Sequence, residues 1–170
     1  MMDVLTYKVN LNEIVPFEEK EFNQNSVYLW VLHADKIPPH IGLSVEGKYF
    51  SLKSNGKDEN LGLDGLFNVI DKKKIKTLLF ELDSNLTRTD VEACFSTYDR
   101  TIVHEVTCLN PLKDLLGFKD VRKLLDLLSE LEQSGSIKSI VGLNIDDSFT
   151  GIVDYKVEDI HDRLAKLSNA

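Results

Sequence analysis

The segment that most constrains the fold is a hairpin written into residues 40–53. His40-Ile-Gly-Leu-Ser-Val45 and Lys48-Tyr-Phe-Ser-Leu-Lys53 flank Glu46-Gly47, and a two-residue loop ending in glycine allows a tight chain reversal. With that loop, Val45 pairs with Lys48, Gly42 faces Ser51 and His40 faces Lys53. Strand side chains alternate, so Ile41, Leu43, Val45, Phe50 and Leu52 share one face. His40, Gly42, Ser44, Tyr49 and Ser51 share the other. The first face is core-like. The second is expected to be polar, with a gap above Gly42.

The elements around this hairpin follow from periodicity. Val27-Tyr-Leu-Trp-Val-Leu32 is a continuous apolar run and fits a strand buried on both faces. Thr6–Leu11 alternates weakly, as an edge strand would, and Pro16–Gln24 is acidic and polar, as a loop would be. Asp64–Lys74 predicts a helix with Asp64 as N-cap, and Thr87–Tyr98 another, capped by Thr87 or Thr89. In Asp120–Ser134, Val121, Leu124, Leu125, Leu128 and Leu131 form a stripe at helical spacing, followed by Gly135 at a capping position. Lys76–Leu82 and Ile137–Ile145 read as strands. Val157–Leu167 reads as a final amphipathic helix with Val157, Ile160, Leu164 and Leu167 inward. Strands joined by short turns come first and helices alternate with strands later. The expectation is α+β, with a mainly antiparallel sheet and packed helices.

Composition narrows the function classes. The chain has 170 residues, enough for a single domain with a real core. The hydrophobic fraction of 42% and charged fraction of 28% argue against disorder and against a membrane protein. No apolar run is long enough to span a bilayer. The start, Met-Met-Asp-Val-Leu-Thr, lacks the pattern of a secretory signal. Two cysteines, Cys94 and Cys108, are too few for a disulfide framework, so a cytoplasmic location with reduced thiols is expected. The net charge of −8 argues against a nucleic-acid partner. The basic cluster Lys72-Lys73-Lys74 with Lys76 reads as a solvated helix end.

There is no phosphate-binding glycine loop, dinucleotide fingerprint, nucleophile elbow or zinc-ligand spacing, so no cofactor or metal is expected. Four histidines remain. His161 reads as a packing residue on the last helix, and His33 as the end of the apolar strand. His104 and Cys108 lie on an extended segment, which would hold them about 13 Å apart. His40 opens a strand after Pro38-Pro39, beside a glycine, where a second group has room to approach.

The stretch His40-Ile-Gly-Leu-Ser-Val-Glu-Gly-Lys-Tyr-Phe-Ser-Leu52 resembles the histidine-bearing hairpin of the NlpC/P60 superfamily of papain-like cysteine hydrolases. In the circularly permuted branch, which includes the lecithin:retinol acyltransferase-like proteins, the histidine precedes the cysteine. This chain has that order, with Cys108 in Thr107-Cys-Leu-Asn-Pro-Leu-Lys113 just before a helix. The resemblance implies a permuted papain-like fold, with Cys108 as nucleophile, His40 as general base and Ser51 in the orienting position. That position is usually His, Asn, Gln or an acid in the family. Backbone N–H groups near Asn110, with Pro111 as first helical residue and Asn110 as cap, would serve as the oxyanion hole. The implied activity is hydrolysis or acyl transfer on an amide, ester or thioester of a small molecule or peptide. The competing expectation is a non-catalytic binding or interaction domain, with its contacts on the first edge strand, the acidic surface and the last helix. In that case His40 is a strand-end histidine, and Cys108, like Cys94, a small buried hydrophobe.

Overall fold

Strand β3 (Val27–Leu32) is buried at every residue, and the alternation of its side chains builds two cores. Val27, Leu29 and Val31 enter one apolar cluster, while Tyr28, Trp30 and Leu32 enter a second on the opposite face. A strand of this kind must be central and covered on both sides. The computed structural model describes residues 6–7 and 13–168. In them β3 lies in the middle of a seven-stranded sheet.

The chain runs β1 (Thr6–Tyr7), β2 (Ile14–Pro16), β3, β4 (His40–Val45), β5 (Lys48–Lys53), β6 (Gly56–Gly62) and α1 (Leu63–Lys72). It continues through β7 (Thr77–Leu82), α2 (Arg88–Phe95), α3 (Asn110–Leu116), α4 (Leu124–Gln133), β8 (Ile137–Leu143), β9 (Ile152–Val153) and α5 (Val157–Ser168). The large sheet has the order β2-β8-β7-β3-β4-β5-β6. Its pairs are antiparallel except β2 with β8, which is parallel. Strands β1 and β9 form a separate antiparallel ribbon. The fold is therefore α+β with a mainly antiparallel sheet, as the periodicities predict. Among the described residues no helix is long and apolar enough to cross a membrane.

The hairpin forms in the predicted register: Val45 pairs with Lys48, Ser44 with Tyr49 and Leu43 with Phe50. The loop residues Glu46 and Gly47 both have positive φ, 49° and 74°, which is why glycine is needed at the second position. Ile41, Leu43, Val45, Phe50 and Leu52 are buried in the first cluster. Val91 and Phe95 of α2, Leu112 of α3, four leucines of α4, and Ile160 and Leu164 of α5 cover that face.

The second face differs from the sequence expectation in one respect. It is not an open polar surface. Helix α1 covers it with Leu63 and Ile70, helped by Leu66, Phe67, Phe17 and Phe22. Trp30 Nε1 donates to Ser44 Oγ at 2.8 Å, which satisfies two polar groups inside this layer. The expected gap above Gly42 is filled by the Tyr49 ring: a Cβ at position 42 would lie 2.6 Å from its carbons. Gly42 is small so that Tyr49 can lie flat across its own hairpin.

Several boundaries also move. Helix α1 is preceded by Gly62, with no side-chain cap from Asp64. Thr87 does cap α2, in a reciprocal box with Asp90. Helix α4 starts at Leu124, later than the apolar stripe indicates, where Tyr155 Oη accepts from the Leu124 amide at 3.0 Å. Within 16–24, read as a polar loop, Pro16 ends β2, and Phe17 and Phe22 pack inward. Of the proposed edge strand at 6–11, Thr6–Tyr7 is β1, and the rest lies outside the described residues.

Two substitutions test the packing over Gly42. Gly42→Ala should lower unfolding free energy by about 1–3 kcal/mol through overpacking. Tyr49 Oη is buried without a hydrogen-bond partner, while the neighbouring Ser51 Oγ donates to Asp58 Oδ2 at 3.2 Å. Tyr49→Phe should therefore leave stability unchanged or raise it by up to about 1 kcal/mol. Urea denaturation of both variants reads the two effects.

Candidate functional site

One cavity of about 600 Å³ opens where β4 begins and β5 ends. Its walls come from the β3–β4 connection, the β5–β6 turn, Thr101, Cys108 and one side of α5. Each wall has a local cause. His33 takes a positive φ of 55° and turns the chain out of β3, and the backbone of Lys36 closes that turn by donating to His33 O at 2.9 Å. The Thr101 amide donates to Lys53 O at 2.8 Å, which ties the segment before Cys108 to the end of β5. Asn110 Oδ1 accepts from the Thr107 amide at 2.8 Å and fixes the turn that carries Cys108 into α3. Ile160 and Leu164 anchor α5 in the core, leaving Arg163 and Leu167 along the cavity.

His40 and Cys108 line this same cavity, although 68 positions of chain separate them in order. They arrive from different faces of the sheet. His40 pairs with Leu32, whose side chain lies in the second cluster, whereas Cys108 packs against the first. The cavity wraps round the open end of the strands and so is reached from both. Among the described residues no hydrogen bond joins the two side chains. The backbone amides of Ile41 and of Cys108 itself lie near the sulfur and favour its charged form.

The electrostatics are those of a neutral pair. Burial pushes the Cys108 thiol above its ordinary value, and the nearby amides, which favour thiolate, do not offset it. Burial also lowers His40 to about 4; Asp58 opposes this, and Lys53 and His33 add to it. At neutral pH the cavity thus holds a thiol and an unprotonated imidazole. Such an imidazole is free to take a proton.

Ser51 is not beside His40 in the cavity. It is fully buried, and its hydroxyl is engaged by Asp58 on β6. Asp58 also forms an ion pair with Lys53 at 3.0 Å. Asp58 is thus a carboxylate at this end of the hairpin, and it was not singled out from the sequence. Its signal was the Ser54-Asn55-Gly56 turn, which folds a polar strand back on β5. Asn110 is the first residue of α3 and Leu109 its cap, so Cys108 stands one residue before the cap and not two as expected. His104 does not pair with Cys108; its amide donates to His161 Nδ1 at 2.8 Å, joining the 102–106 turn to α5. Cys94 Sγ donates to Pro111 O at 3.5 Å, and burial, with Asp114, raises its thiol to about 11. Among the described residues no cluster of His, Cys, Asp and Glu could hold a metal ion.

No protein-family model, curated protein or solved structure matches the chain.

The His40 environment sets a pH dependence. The folded state keeps His40 unprotonated down to about pH 4, whereas the unfolded chain protonates it near its ordinary 6.5. Between those values the unfolded state binds more protons, so stability is full above pH 6.5 and falls as pH drops toward 4. The contribution amounts to about 3 kcal/mol over that window. His40→Gln should flatten the stability curve between those limits, as measured by urea denaturation at a series of pH values.

Proposed function

We propose that the protein is a thiol-dependent hydrolase or acyltransferase acting on an amide, ester or thioester. The observation that supports this most is the presence of Cys108 and His40 on one cavity of ligand size. The resemblance of the His40 hairpin to permuted papain-like hydrolases supports the same reading. In the reaction, the His40 imidazole takes the Cys108 proton, directly after side-chain rotation or through one water. The sulfur forms a bond to the substrate carbonyl carbon. The tetrahedral intermediate collapses by breaking the bond to the leaving group, which takes the proton back from the imidazolium. Water or an acceptor alcohol or amine then attacks the thioester and regenerates the thiol. The two amides that reach the sulfur stabilise it as charge develops.

A second reading, a binding module without chemistry, is favoured by two observations. Burial holds Cys108 as a thiol, and Ser51 is committed to Asp58 and not to His40. The two readings separate on a covalent intermediate. Incubation with p-nitrophenyl octanoate followed by intact-mass spectrometry should show one added octanoyl group on the wild type. The adduct should be absent in Cys108→Ala, and its formation should slow about 100-fold in His40→Ala. Octanoylation that persists in Cys108→Ala, or none in the wild type, refutes the hydrolase reading and leaves the binding module.

A further inference from the structure

The chain carries a net charge of −8, yet the cavity lining contains no Asp or Glu. It contains Lys36, Lys53 and Arg163, together with His33 and His40. Lys53 is neutralised by Asp58 at 3.0 Å. Lys36 and Arg163 form no ion pair with any described residue. Asp159, one turn before Arg163 on α5, is held elsewhere: its Oδ2 accepts from the Lys156 amide at 2.8 Å at the start of that helix. Between these cations the wall is apolar, formed by Ile37, Pro38, Leu164 and Leu167. Ile37 and Leu167 are 54% and 40% exposed, so this wall offers apolar area that an alkyl chain can cover.

We propose that this cavity binds a small amphiphilic carboxylate, with its alkyl chain on the Ile37–Leu167 wall and its anion held by Arg163 and Lys36. The charge of the lining excludes a cationic amphiphile, and the mixed wall disfavours a purely polar anion. Guanidinium and ammonium groups that lack a protein partner have hydrogen bonds to give, and a carboxylate accepts them with charge assistance. The proposal names the substrate or product class of the proposed acyl chemistry and rests on that reading for its biological meaning, but the binding itself needs no thiol reactivity.

The test compares octanoate with octanol by isothermal titration on the whole chain. Octanoate should bind about ten-fold more tightly than octanol, the difference that charged hydrogen bonds supply. In Arg163→Gln combined with Lys36→Gln, octanoate should fall to the level of octanol, while octanol is unchanged. Arg163→Lys, which keeps the charge, should retain most of the preference. Both positions are exposed, so the fold is spared. Equal binding of octanoate and octanol, no binding of either, or a preference that survives the double substitution overturns the proposal. Its failure is distinct from failure of the hydrolase reading. Octanoylation of Cys108 without carboxylate preference sinks only the carboxylate site, and carboxylate binding without octanoylation sinks only the chemistry.

Discussion

The burial of β3 on both faces is the constraint from which the rest of this structure follows. A strand with six buried residues cannot lie at an edge, because its alternating side chains need a layer on each side. That demand recruits α2, α3, α4 and α5 to one face, and α1 with Phe17 and Phe22 to the other. It also fixes the hairpin beside it. Once Trp30 and Ser44 are joined in the second layer, β4 has a single register, and His40 must stand at the open end of the sheet.

The site is a consequence of that end. Helices packed on the first face carry Cys108 and α5 to the same rim where β4 begins. The cavity there is not a defect in the core. It is the place where the β3–β4 connection, the β5–β6 turn and one side of α5 enclose a space. Its chemistry follows from burial more than from charge pairing. Desolvation acts on both groups, raising the thiol and lowering the imidazole, and the carboxylate at Asp58 is too committed to Lys53 and Ser51 to reverse it.

What was legible in the sequence was local. The hairpin register followed from Glu46-Gly47, the α2 cap from Thr87, and the buried character of β3 from its uninterrupted apolar run. Interactions between distant segments were not legible. Tyr49 fills the space over Gly42 inside a layer that it shares with Trp30 and with Leu63 and Ile70 of α1. Strand β2 pairs in parallel with β8, more than a hundred residues away, and no short pattern encodes that. Ser51 was expected opposite Gly42, but the β4–β5 pairs end at Leu43 with Phe50, and Ser51 pairs instead with Asp58 on a polar edge strand that lacks the usual apolar alternation. Cys108 and His40 were singled out from residue type and order, and the structure brings both to one cavity. The cationic rim at Lys36 and Arg163 became visible only when α5 was placed against the β3–β4 turn.

The measurement that bears most directly on the central claim, that His40 acts on the Cys108 sulfur across their shared cavity, is the alkylation rate of Cys108 by iodoacetamide as a function of pH. Cys94 serves as the internal control in wild type and in His40→Ala. The account predicts a thiol midpoint above the ordinary value of about 8.5, and a residual rate at neutral pH that drops several-fold in His40→Ala while Cys94 is unaffected. A Cys108 rate that is identical with and without His40 across the whole range would contradict it.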